Sequence, residues 1–330
     1  MEEFFGTLPS GAQAFVHTIS CGRLSASVTD FGAALVRLSV DGTDIVLGYD
    51  DVTGYNENGG FLGATVGRNA NRIKGSSFPM NGEIVRLPAN EGKNNLHSGP
   101  EPYARRLWKT EEVDAQTLRF TLHSPDGDQG FPGNADIAVT YHLTETALTV
   151  SYDAVSDRDT VFNFTNHSYF NLFGEDHPEK AMEQLMTLPG RWFNPDDAEN
   201  IPTGEQRNVE GTPFDFRQAK PLGRDIGADY EPLHLQGGYD HNFEAASPVC
   251  AVLQNPKNGL TMTVSTTCPG VQIYTANFLD VIGKGGHPYP RRSGVAIETQ
   301  FAPDSVNHPE WPQPFVKAGV PYHSETTFSF

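Results

Sequence analysis

Cysteine is scarce: Cys21, Cys250 and Cys268 are the only three in 330 residues, and they are far apart. An odd, dispersed set offers neither a disulfide framework nor closely spaced metal ligands, and fits buried thiols in a reducing compartment. Long apolar runs are missing too. Nowhere do eighteen consecutive apolar residues occur, and the opening MEEFFGTLPSGAQ has neither a basic segment nor an extended apolar one. No membrane span or cleaved leader is expected, and the chain reads as soluble and cytoplasmic. In that setting the sequons Asn163-Phe-Thr and Asn166-His-Ser are coincidental. Positive charge is in deficit, with 23 Lys and Arg against 41 Asp and Glu and a net charge of -18. Such a surface repels nucleic acid and anionic membranes, so neither is an expected partner, but it does not identify a ligand. Helical periodicity is rare as well: the best stretches, around Glu179 to Met186 and Phe216 to Lys220, are short and lie near proline or glycine.

What the chain has is alternation. Short runs such as RLSASVTDFGAALVRLSV, TLRFTLHS, LTMTVSTT and VQIYTANFL recur between turn-forming clusters, and the 33 Gly and 24 Pro are spread along the chain. That pattern predicts an all-β protein, a large antiparallel β-sandwich with few short helices. No fixed repeat, low-complexity tract or linker divides it, so residues 1–330 read as one domain. Ala135 to Ser156 reads as a hairpin turning at Thr144-Glu145-Thr146 without the usual turn glycine. Exposed sheet edges leave a monomer and a homodimer both open.

Several segments carry more polar chemistry than a solvated strand face needs. In FNFTNHSYFNL, Phe162, Phe164, Phe170 and Leu172 fall on one face of an expected strand, and Asn163, Thr165, His167, Tyr169 and Asn171 on the other. In GVAIETQF, Val295, Ile297, Thr299 and Phe301 share a face and Glu298 projects from the opposite one. A carboxylate there stands either at a wet edge or in a pocket, where desolvation raises its pKa toward that of a useful base. GATVGRNANRIKGSSF clusters Arg68, Asn69, Asn71 and Arg72, which are either solvated turn residues or donors for the hydroxyls of a small polar ligand. His97 in NNLHSGP and Asp240 with His241 in GGYDHNF are further polar groups beside glycines. The histidines lack zinc-ligand spacing, no calcium loop is present, and nucleophile elbow, Walker loop and dinucleotide fingerprint are all absent. No metal and no cofactor is expected. What remains is acid–base chemistry or simple binding.

Taken together, NRI at Asn71 to Ile73, NNLHSG around His97, NHSYFNL at Asn166 to Leu172, YDHNF at Tyr239 to Phe243, PGVQIYTANFL at Pro269 to Leu279 and ETQFAPDSVNHP at Glu298 to Pro309 resemble the aldose 1-epimerases, or galactose mutarotases. The resemblance runs in order over nearly the whole chain. It implies a many-stranded sandwich with an open cleft, His167 as general acid and Glu298 as general base. Asn71, Arg72, His97, Asp240 and Gln272 match the sugar contacts, and Tyr169 and Phe278 are possible covers for the ring. The activity implied is interconversion of the α and β anomers of aldoses such as D-galactose and D-glucose, an isomerase reaction of hexose metabolism. Reference pKa values of about 4.3 and 6.5 would leave a window with Glu298 ionised and His167 charged. Ser98 and the wording after ETQ depart from the family pattern without removing a reacting group. A glycoside hydrolase using Asp240 and Glu298, a non-catalytic sugar-binding relative, and a hexose-phosphate mutarotase using Arg105-Arg106 or Arg291-Arg292 are the competing readings.

Overall fold

The computed structural model describes every residue except Ser247. Three antiparallel sheets dominate. Near the N-terminus five strands form a meander in sequence order, from Glu2–Thr7 through Gln13–Cys21, Leu24–Thr29 and Ala34–Val40 to Thr43–Asp44. The largest sheet has nine strands, at whose centre the hairpin Ala135–Leu143 and Ala147–Ser156 pairs onward with the C-terminal strand Tyr322–Ser329. A six-stranded sheet runs from Tyr169–Phe170 through Val295–Gln300, Gly270–Tyr274 and Asp240–Glu244 to two short edge strands.

The period-2 pattern explains how the last two sheets pack. Val271, Ile273, Val295 and Ile297 point from the six-stranded sheet into a core shared with Val139, Tyr141, Leu148, Val150 and Phe328 of the nine-stranded one. Each such side chain removed from water stabilises the fold by about 1.5–3 kcal/mol before chain entropy is counted. The residues between them, Gln272, Ala296 and Glu298, are turned to the opposite face. Register then sets Gln272 beside Glu298, and Asp240 and Ala296 on either side of Tyr274.

The hairpin turns at Thr144–Thr146 as predicted. No residue of this turn needs positive φ, and the Thr144 hydroxyl steadies it by accepting hydrogen bonds from the Ala147 and Thr146 amides, at 3.0 and 3.3 Å. Thr144→Val is expected to lower stability by about 0.5–1 kcal/mol, read as a shift of the urea midpoint at unchanged slope.

Two expectations are corrected. The α-helices among the described residues are Val52–Glu57 and Glu231–Gln236. Asp51 caps the first through the Thr53 and Gly54 amides, and Gly237, at φ 65°, ends the second. The stretch near Glu179 is a 3-10 segment, Pro178–Glu183, giving way to the strand Leu185–Thr187, and Phe216 to Lys220 is not helical. FNFTNHSYFNL is also not one strand. It is divided among short pairings: Thr165–Asn166 with Thr65–Val66, and Tyr169–Phe170 with Val295–Gln300. Just before it, Thr160–Val161 pairs with Phe315–Val316. The segment threads between sheets and is buried on both sides, so strict alternation does not decide which side chains reach the site.

Candidate active site

A cavity of about 370 Å³ opens on the face of the six-stranded sheet turned away from the core, within the range of small-molecule sites. Its walls include Asn71, Arg72, His97, His167, Asp240 and Glu298, residues separated by up to 227 positions in sequence. Six of the seven polar groups singled out from the sequence thus line one space. The seventh, Gln272, stands one step behind: its Nε2 donates to Asp240 Oδ1 at 2.7 Å and holds that carboxylate in place.

Glu298 and His167 meet on the cavity wall, with Oε1 3.6 Å from Nε2 and both side chains buried. Glu298 Oε2 and His167 Nδ1 have no protein hydrogen-bond partner. Burial moves both groups toward their neutral forms. It pushes the imidazole down to about 4 and the carboxyl well above the usual carboxylate range, the nearby Asp240 charge adding to the rise. The window expected from reference values is therefore inverted, because desolvation is the largest influence on both groups. The pair nevertheless holds one proton over the intermediate pH range, on one group or the other.

His97 is buried beside His167, with ring centroids 5.6 Å apart. Burial, His167 and Arg72 drive its pKa well below the ordinary histidine value. Its Nδ1 accepts from the Asn71 amide at 3.2 Å, so the proton of this neutral ring is on Nε2. Asn71 and His97 both have positive φ, 61° and 51°, and Asn71 O in turn accepts from the His97 amide. Ser98 cross-links the same loops: its hydroxyl accepts from the Asn69 amide and donates to the Asn69 carbonyl. The serine that departs from the family wording thus anchors the backbone beside Asn71.

Other polar residues of the motifs have structural work. Arg68 is completely buried away from the cavity and donates to Pro132 O, Gly133 O, Thr160 Oγ1 and Ser124 Oγ. Asn163 accepts from the Phe301 amide, and Asn171 donates to His177 O. His241 packs against Phe214 in the core, its pKa pushed down to about 3 by burial. Of the polar face proposed for FNFTNHSYFNL, only His167 and Tyr169 reach the cavity.

The sequence reading named Tyr169 and Phe278 as covers for the ring and did not single out Phe61, Glu91 or Asp196. Phe61 lines the cavity, its ring stacked on His167 at 6.0 Å and 4.7 Å from His97, while Phe278, also lining it, has 72% of its surface exposed. Tyr169 is buried, its hydroxyl donating to Gly60 O. Glu91 clamps Arg72, and Asp196 is a buried carboxyl near Asp240, which with burial holds its pKa well above normal. No group of three or more potential metal ligands occurs among the described residues.

Fold and site together define an enzyme-like β-sandwich whose cleft holds a buried imidazole–carboxyl pair among further polar side chains. The profile of the aldose 1-epimerase family matches residues 16–329. The aldose 1-epimerase of Haemophilus influenzae is 39% identical, with 91% of each chain covered, and the galactose mutarotase of Bos taurus is 38% identical over 99% of this chain and 97% of its own. Among solved structures, the galactose 1-epimerase of Lactobacillus acidophilus superimposes with a TM-score of 0.87 at 26% identity, covering 100% of this chain and 98% of that one. The GalM/aldose epimerase homologue from C. elegans gives 0.88 at 29%, covering 96% and 98%. The chain belongs to the aldose 1-epimerase family.

Proposed function

We propose that the protein is a mutarotase, an isomerase that interconverts the α and β anomers of free aldoses such as D-galactose and D-glucose. The observation that carries this reading is the buried His167–Glu298 pair, 3.6 Å apart on the wall of a sugar-sized cavity. Opening the ring requires a proton to leave the C1 hydroxyl and another to reach the ring oxygen. Glu298 takes the first and His167 gives the second, the C1–O5 bond breaks to the aldehyde, rotation about C1–C2 presents the other face, and closure reverses both transfers. Sugar hydroxyls entering the site supply the solvation that favours the carboxylate–imidazolium arrangement. Opening then returns the pair to the neutral arrangement that burial prefers. Asn71, Arg72, His97 and Asp240 hold the hydroxyls, and Gln272 fixes Asp240.

Arg72 is the sole cation among the described lining residues, and it is already paired with Glu91. Arg106 pairs with Asp128, and Arg291 and Arg292 donate to Gly237 O. This supports free sugars over their phosphates. The family match over residues 16–329 supports one catalytic unit, and three unpaired thiols support a cytoplasmic setting. The direct test is polarimetry: freshly dissolved α-D-glucose or α-D-galactose in weakly catalysing buffer relaxes faster with the protein, and no acceleration of any aldose would refute the reading.

A pH prediction follows from the pair. Gain of a second proton at His167, at about pH 4, sets the acid limb of kcat/KM, and loss of the single proton, at a value raised by burial, sets the alkaline limb. Asp240 contributes to that rise, so Asp240→Asn moves the alkaline limb to lower pH while weakening sugar binding. An alkaline limb that stays or moves up would contradict the assignment.

A further inference from the structure

We infer that Glu91 is a positioning residue of the active site, one that holds the Arg72 guanidinium off Asp240 so that both groups remain available to the sugar; this rests on the mutarotase reading. The loop from Pro88 to Ser98 brings Glu91 to the cavity wall, where its carboxylate grips Arg72 at both ends. Nε donates to Oε2 at 2.6 Å and Nη2 to Oε1 at 2.9 Å. This bidentate fork fixes the plane of the guanidinium as well as its place. The remaining amino group, Nη1, has no protein hydrogen-bond partner among the described residues and is left for the cavity that Arg72 lines.

Arg72 has a competing attachment. Asp240 and Asp196 are both close enough to favour its charged form, and Arg72 in turn stabilises the Asp240 carboxylate. Even so, no hydrogen bond joins Arg72 to Asp240 among the described residues: Asp240 Oδ1 accepts from Gln272 instead. A long, flexible cation facing two buried carboxylates would collapse onto one of them and consume the donors and acceptors that sugar hydroxyls need. Glu91 prevents this by taking two of the three guanidinium nitrogens. The loop is itself braced, since Lys93 pairs with Glu199 at 2.9 Å, and the Asn90 side chain bonds Leu96 in both directions. The clamp therefore has a fixed base.

The test is a double-mutant cycle on kcat/KM for D-galactose with the full chain, using wild type, Glu91→Gln, Arg72→Met and the double variant. Glu91→Gln is expected to lower kcat/KM about 10–100-fold, chiefly through KM, because the groups misplaced bind the ring and do not react with it. In the Arg72→Met background the same change should have almost no further effect. A panel of monodeoxygalactoses gives a second readout: the hydroxyl whose removal costs wild type most should matter less once Glu91 is changed. A loss that persists without Arg72, or Glu91→Gln kinetics equal to wild type, would overturn the inference. Failure of wild type to act on any aldose would instead refute the mutarotase reading, whatever the variants do.

Discussion

Glu298→Gln and His167→Asn are each expected to reduce kcat for anomer interconversion by about 10²–10⁴-fold, the usual contribution of a positioned acid or base. Glu298→Gln is isosteric and His167→Asn keeps a polar side chain of smaller volume, so circular dichroism should stay near wild type and the melting temperature should fall little. Sugar binding, followed by calorimetry, should survive in both. Because opening needs a proton taken at C1 and another given at O5, removing either group blocks the same step. The double variant should then be only slightly worse than the singles, far from the product of their losses. A Glu298→Gln enzyme that kept more than a tenth of the wild-type kcat would remove the carboxylate from the mechanism, and a His167→Asn enzyme that did so would leave Glu298 with water as its partner.

Arg68→Met is expected to lower folding stability by about 3–5 kcal/mol, the scale for stripping a buried charged group from its partners. The guanidinium is fully buried and donates to two main-chain carbonyls and two hydroxyls drawn from three separate segments. Methionine fills part of the volume but supplies no donor, and each acceptor left unsatisfied costs about 1–3 kcal/mol. Urea unfolding at constant slope measures the change. A loss below about 0.5 kcal/mol, the range of an ordinary surface substitution, would mean that Arg68 is a solvated turn residue after all. The kinetic constants of whatever fraction remains folded should change little, since Arg68 is not in the cavity wall.

Arg68 and Arg72 show where sequence reading stops. They are the same residue type, four positions apart in one glycine-flanked stretch, and both were read as either surface or sugar contacts. Tertiary packing sends one into the core as a cross-brace and the other to the ligand cavity. The face of Glu298 was legible because its strand is regular, with Val295, Ile297 and Thr299 alternating opposite it; whether that face was a wet edge or a pocket was settled only by the family motif and then by the fold. His167 was legible through its motif, although the alternation first used to place it fails, since the segment is broken between sheets. Glu91 carried no signal. An acidic residue in an Asn- and Gly-rich loop is indistinguishable from a solvated one until the loop is folded back over Arg72. Phe61 was missed for a similar reason, being an aromatic after two glycines whose neighbours in space, His97 and His167, lie 36 and 106 positions further on. The inverted proton affinities of the pair were beyond reach for a different reason: they depend on how much water is excluded, a property of the whole cleft.

The threading of Thr160 to Leu172 between separate pairings has a consequence for how the enzyme fails. The His167 amide donates to Ala64 O, and its carbonyl accepts from the Gly63 amide, in a stretch with no exposed residue. Opening this backbone to solvent means parting several sheets at once, so its amides belong to the most slowly exchanging set and exchange only when the whole molecule unfolds. His167, the proposed acid, is thereby tied to global cooperativity. On heating or in denaturant, catalysis should persist until the unfolding transition and vanish within it, with no earlier inactive, still-folded state.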